Sequence, residues 1–352
     1  MSSWTLLAVL VLLAEAYFAS GILIPLVVSF FLAVLLEPGV AWAERHGLRR
    51  SRGAVAAVVL FLLTFAAAVY GFAQPFTTVV DDLPRYASRI RAAAAVIDRR
   101  THKFQKGTEA VQRALQPGAP ETPKPREATI EGGVTSLKVF FWRGLGSFFE
   151  AAGIAAFMPF LMIFALSDKE VLLAALDRIA TGSLDSGLVR RETPRMVRAY
   201  FYGNLAVGLV MSLLHWAVFE GLGLQNATGL ALLSGFATII PLIGLPAAML
   251  LPVAQGLLQF DRALSFLVIT ASMTGLHLIA GNFAVPRVIG ARLHINAFAA
   301  TVGLLFWGWL WGVSGFLLAV PLTALLKILL ESRAETAAFA ALLATKSAVA
   351  KQ

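Results

Sequence analysis

The chain has 352 residues, of which 58% are hydrophobic and only 14% charged, and its mean hydropathy is +0.77. Such values exclude an ordinary water-soluble globular domain and indicate an all-α polytopic membrane protein. The lack of cysteine excludes disulfides, thiolate metal sites and cysteine nucleophiles; the net charge of +9 sits in basic residues flanking apolar spans, which points to anionic lipid rather than nucleic acid.

About eight apolar spans are predicted, near residues 5–19, 22–36, 53–74, 145–167, 199–220, 227–258, 264–285 and 296–330. The first three make up a unit of residues 1–74. The first span begins at Trp4 with no basic region before it and no small-residue cleavage site after it, so it reads as a retained helix rather than a signal peptide. Ser20 and Gly21, with Pro25 just beyond, predict a tight helical hairpin between the first two spans. Glu15 lies close to that turn. A carboxylate costs roughly 2.5–3.5 kcal/mol at mid-bilayer, so Glu15 is a candidate proton or cation relay, with an interfacial structural role equally open.

Residues 75–144 form the one large extramembrane segment. Leu83, Ala87, Ile90, Ala94, Ile97 and Phe104 recur at helical spacing among Arg85, Arg89, Arg91, Arg99, Arg100 and Lys103, which predicts an amphipathic helix suited to a membrane surface or a neighbouring subunit. Pro117, Gly118, Pro120, Pro123 and Pro125 then read as a flexible linker.

Residues 145–331 read as the membrane core, interrupted by a basic loop at 168–198 and followed by a tail at 332–352. Arg45, Arg49, Arg50 and Arg52 cluster after the second span, and Lys169, Arg178, Arg190, Arg191, Arg195 and Arg198 after the fourth, so both loops are expected in the cytoplasm, with both termini. Arg287 and Arg292 dissent: they fall outside if the spans around them cross fully. One of the last three spans is therefore a candidate re-entrant hairpin.

Pro241, Gly244, Pro246 and Pro252 interrupt the sixth span, and Gly312, Gly315 and Pro321 the eighth. Unwinding frees backbone N–H and C=O groups that membrane depth tolerates only where they line a cavity or are buried in protein, so these breaks mark a substrate path, against the plainer reading of kinked, packed helices. Thr270, Thr274 and His277 share one face of the seventh span at i, i+4, i+7, which should look into a bundle or cavity; an ordinary interhelical hydrogen bond is the alternative. Asn204 and Gln255 are similar candidates. Glu220 reads as a solvated helix end, and His215, five residues earlier, lies off its face.

Gly312-Val313-Ser314-Gly315 matches the pattern with which rhomboid-type proteases present a serine, but those enzymes need a later histidine and the last one here is His294. Without a convincing metal, nucleotide or dinucleotide motif, no enzyme, metal or cofactor is expected.

Three runs carry a family likeness: Asn282-Phe-Ala-Val-Pro286-Arg-Val-Ile-Gly290, Leu305-Phe-Trp-Gly-Trp-Leu-Trp-Gly312-Val-Ser-Gly315, and Phe316-Leu-Leu-Ala-Val-Pro321-Leu-Thr-Ala-Leu-Leu-Lys327. With Pro241-Leu-Ile-Gly244, they resemble the AI-2E family of bacterial membrane proteins. The resemblance implies an eight-helix inner-membrane transporter, a homo-oligomer, that exports a small polar solute such as autoinducer-2; some relatives are described as cation/proton antiporters. It also adds Asn282, Pro286 and Gly290 as a hinge on the path. A sodium(cation)/proton antiporter and a non-transporting scaffold are the competing functions, and the coupling ion, proton or sodium, is left open.

Overall fold

A computed structural model describes residues 11, 13–81, 88, 156–180, 184–240, 244–260, 263–284 and 295–345. The amphipathic stretch around Ser88, the proline-rich linker, the start of the first span, and Pro241, Pro286, Arg287, Gly290 and Arg292 lie outside the described residues. Among those described, the structure is helical apart from two isolated backbone bridges, Leu184 with Arg333 and Ile295 with Ala344.

Where a tight hairpin is predicted at Ser20-Gly21, the chain only bends, at Ala19 (φ −86°, ψ 11°): the Ala19 N–H still donates to the Glu15 carbonyl at 2.7 Å and the Leu23 N–H to the Ala19 carbonyl at 2.9 Å, and Ser20 already belongs to helix α1 (Ser20–Arg45). Helices α2 (Arg50–Asp81) and α3 (Met158–Ser167) pack on α1 through Ala33, Val40, Ala54, Val58, Met162 and Leu166, and a short α4 (Lys169–Ile179) follows. An ion network closes this end of the bundle. Glu37 accepts from Arg50 at 2.7 Å and from Lys169 at 2.8 Å, and Arg50 also donates to the Leu166 carbonyl, one of the last acceptors of α3. This basic end is where the loops at 45–50 and 168–186 meet.

Helix α5 (Ser186–Gly221), capped by the Asp185 carboxylate on the Leu188 N–H at 2.9 Å, is 36 residues long. It extends well beyond the predicted span because its first turns continue out of the membrane as an arginine-bearing helix. The other elements lean on it. Helix α8 (Ala263–Ile279), prolonged by a wide π-helical turn at Ala280–Ala284, runs antiparallel to α5: Ile269 and Met273 pack with Phe219, whereas Ala280 packs with Val207 and Met211.

Among the described residues five helices, α1, α2, α5, α8 and α9 (Ala297–Glu331), are long and apolar enough to cross a membrane, and side chains such as Leu60, Leu63, Phe65, Leu213 and Leu267 are exposed along them, as a lipid solvent favours. The shorter α6 (Ala227–Ala237) and α7 (Gly244–Gln259) fold back on each other, and α9 is itself broken into two halves, with α10 (Ala337–Leu343) after it.

Candidate functional site

The sixth predicted span is not a crossing. Ser234 and Ala248 are 14 positions apart, about 21 Å along a straight helix, yet the Ser234 hydroxyl donates to the Ala248 carbonyl at 2.8 Å. Gln259 reaches back from the end of α7 to the Gly223 carbonyl at 2.5 Å and accepts from the Gln225 N–H at 2.8 Å. Helices α6 and α7 therefore form a hairpin whose open end sits at the far end of α5. Their lengths, 11 and 16 residues, give about 16 and 24 Å, short of the roughly 30 Å of a bilayer core.

The eighth predicted span folds back as well. Trp311 (φ −126°, ψ 16°) and Gly312 (φ 58°, ψ −135°) break α9 into arms of residues 297–310 and 313–331. Across the break, the Trp307 indole donates to the Thr323 hydroxyl at 3.2 Å, although 16 residues would place them about 24 Å apart on one helix. A Cβ on Gly315 would collide with the Trp307 carbonyl, and one on Gly303 with the Thr323 hydroxyl. The positive φ of Gly312 supplies the turn, and the bare Cα of Gly315 lets the arms touch.

Both ends of the α9 hairpin lie at the basic end. Asn296 caps its first arm through the Ala299 N–H at 2.7 Å and donates to the carbonyls of Leu342 and Ala344; the Asp185 N–H donates to the Ser332 carbonyl at 2.6 Å. The base also holds the buried Lys327, paired with Glu331 at 2.6 Å. The two hairpins thus point at each other from opposite ends of α5. The Tyr200 hydroxyl donates to the Leu317 carbonyl near the α9 tip at 3.1 Å, while Gly208 of α5 faces Ile239 and Phe236 near the α6–α7 turn. Tyr200 and Gly208 are two turns apart, about 12 Å. The α9 tip is further tied by the Trp311 indole, which donates to the Ala16 carbonyl at 3.0 Å.

The predicted site residues divide accordingly. Gly312, Gly315 and Pro321 belong to the α9 hairpin, Gly315 and Pro321 buried and Gly312 exposed. Gly244 and Gln255 are buried on α7, with Gln255 donating to the Gln225 side chain at 3.5 Å, and Pro246 is exposed. Thr270 and Thr274 spend their hydroxyls on the Phe266 and Thr270 carbonyls of their own helix, at 2.9 and 2.8 Å. Asn282 is exposed and donates to the Leu278 carbonyl at 2.8 Å, and Glu15 and Glu220 are both exposed. His277 lies between Leu276 and Ala280, which pack with Met211 of α5, and sequence reasoning set aside His215, which is buried on α5 with its ring stacked on Phe219. Asn296, Trp307 and Thr323 were also missed; the one signal for Asn296 is its place just ahead of an apolar run, where helix caps sit.

The model of the AI-2E family transporter matches residues 6–334. The chain belongs to this family. The chain is similar to YhhT of Escherichia coli (strain K12), 26% identical over 337 residues that cover 93% of this chain and 89% of YhhT. It is similar also to the AI-2 transport protein TqsA of the same strain, 24% identical over 335 residues (95% and 92%), and to YrrI of Bacillus subtilis (strain 168), 26% over 319 residues (88% and 86%). Taken with the five long apolar helices among the described residues, family membership makes this chain a multi-pass membrane transporter.

Proposed function

We propose that this transporter moves a small polar solute, autoinducer-2 or a related metabolite, outward across the bacterial inner membrane, and that the path runs between the tips of the α6–α7 and α9 hairpins. The observation that carries the reading is their opposition: two hairpins, each folded back on itself, enter from opposite ends of α5 and end within about two helical turns of each other along it. Irregular backbone at a helix break is stable at membrane depth only where protein or a cavity satisfies it, and it supplies the hydrogen-bonding groups a polar solute needs. Each hairpin would close the path from its own side. The similarity to a protein named as an AI-2 transport protein supports the choice of solute.

The basic end is assigned to the cytoplasm, since it gathers Arg45, Arg49, Arg50, Arg52 and Lys169. With α6–α7 returning to the far end, α8 leads the chain back inward, and the chain is next described at Asn296 on the basic side. That removes the conflict Arg287 and Arg292 pose for eight full crossings.

Flux of autoinducer-2 in proteoliposomes, with and without imposed proton and sodium gradients, tests the reading beside Gly312→Ala. Gradient-responsive autoinducer-2 movement that falls at least tenfold in the folded variant is expected. A folded wild-type protein that moves no autoinducer-2 under any gradient would overturn the assignment of solute; equal flux in the variant would overturn the path.

A further inference from the structure

A proline inside a helix has no N–H to give the carbonyl four residues before it, and at membrane depth that carbonyl must find another donor. Three such carbonyls in this fold are each met by a side chain. Pro38 of α1 frees the Val34 carbonyl, which accepts from the Arg198 guanidinium of α5 at 3.5 Å. Pro252 of α7 frees the Ala248 carbonyl, which accepts from the Ser234 hydroxyl of α6 at 2.8 Å. Pro321 of α9 frees the Leu317 carbonyl, which accepts from the Tyr200 hydroxyl of α5 at 3.1 Å.

The two hairpins use this bond differently. In α6–α7 the donor and the acceptor both belong to the hairpin, so the bond would travel with it; Ser234 and Ala248 are both buried. That hairpin is also seated closely, since a Cβ on Gly235 would collide with the Ser212 backbone of α5. In α9 the donor stands outside the hairpin. Tyr200 is only 8% exposed and lies within hydrogen-bonding reach of Asn204, one turn along α5, so its hydroxyl stays with α5. Moving α9 away from α5 therefore breaks the Tyr200–Leu317 bond and strands the carbonyl.

The acceptor limits what can replace Tyr200. A carbonyl oxygen takes a hydrogen-bond donor and repels an anion, and from Ile295 to Leu326 no charged side chain is present to hold an ionic solute. A neutral solute with a hydroxyl group offers the same O–H as the tyrosine. We propose that Tyr200 is the latch of a moving α9 gate, and that the Leu317 carbonyl freed by Pro321 binds a hydroxyl of a neutral solute in place of the tyrosine hydroxyl when the hairpin leaves α5. Loaded, the hairpin moves with its carbonyl paired; empty, it stays latched. This rests on the path between the hairpin tips and adds to it which hairpin moves and which atom the solute meets.

Two measurements on the full-length protein in detergent test it. In thermal unfolding, Tyr200→Phe is expected to lower the midpoint, and to lower it by less than about half as much beside Pro321→Ala, whose restored N–H closes on the Leu317 carbonyl. Equal losses in the two backgrounds would overturn the latch. Autoinducer-2, titrated by calorimetry, is expected to bind Tyr200→Phe roughly threefold more tightly than wild type, the scale of one neutral hydrogen bond, because no tyrosine hydroxyl competes. In the double variant, with the carbonyl closed, that gain should vanish. A merely structural tyrosine predicts an equal or weaker affinity in Tyr200→Phe, and that result would overturn the place of the solute at Leu317. The unfolding cycle is read without solute or flux, so coupling without any autoinducer-2 binding would uphold the latch and overturn the solute alone.

Discussion

The Trp307 indole and the Thr323 hydroxyl meet at 3.2 Å across the two arms of α9, and the same hydroxyl donates to the Ala319 carbonyl at 2.7 Å. Thr323 is therefore satisfied in both roles, donor along its own arm and acceptor across the fold. Thr323→Val keeps the shape but leaves the indole N–H without a partner. A loss of about 1–2 kcal/mol is expected, read as a lower midpoint of thermal unfolding in detergent; an unchanged midpoint would mean that the arms are held by apolar packing alone.

Gly315→Val attacks the same fold more severely. The added side chain meets the Trp307 backbone carbonyl rather than a flexible side chain, so the arms must separate. The cost is expected to exceed the roughly 1–3 kcal/mol of ordinary overpacking. Fluorescence-detected size exclusion should show less folded protein, and a wild-type profile would contradict the hairpin.

Glu37 serves two cations while only 12% exposed, which makes it the central member of the ion network at the basic end. Glu37→Gln leaves Arg50 and Lys169 facing a neutral amide. Because Lys169 is partly solvated, the loss should be about 2–3 kcal/mol, at or below the range for breaking a buried pair. A double-mutant cycle with Lys169→Met separates the two partners: the Arg50 share should persist when Lys169 is gone.

Freedom from cysteine makes the topology directly measurable. Gly221→Cys and Leu264→Cys, both at exposed positions on the two sides of α6–α7, should react with a membrane-impermeant thiol reagent from the same side of the membrane. Glu335→Cys should react only from the other. Were the sixth predicted span a true crossing, Gly221 and Leu264 would label from opposite sides.

Much of this architecture was readable in the order of residues. Helices show as apolar runs, and the breaks at Gly244 and Gly312 announced themselves through residues that a straight helix rejects, whereas Pro252 and Pro321, also expected to interrupt their spans, sit inside continuous helix. What a single chain of letters does not carry is the angle at a break. A kink and a reversal use the same glycine, and only the partner across the fold, Thr323 for Trp307 or Ala248 for Ser234, tells them apart. Arg287 and Arg292 were a long-range clue, since with the basic loops inside their charge points to one of the last three spans not crossing fully.

No charged residue occurs between Ile295 and Leu326, so nearly the whole α9 hairpin is electrically silent. Displacing one elementary charge through a membrane potential of 100 mV takes about 2.3 kcal/mol, but displacing this hairpin takes no such work. A rocking or sliding α9 therefore contributes no gating charge. Any voltage dependence of turnover would then report the charge of the cargo and its coupling ion, and current recordings on the transporter would count them directly.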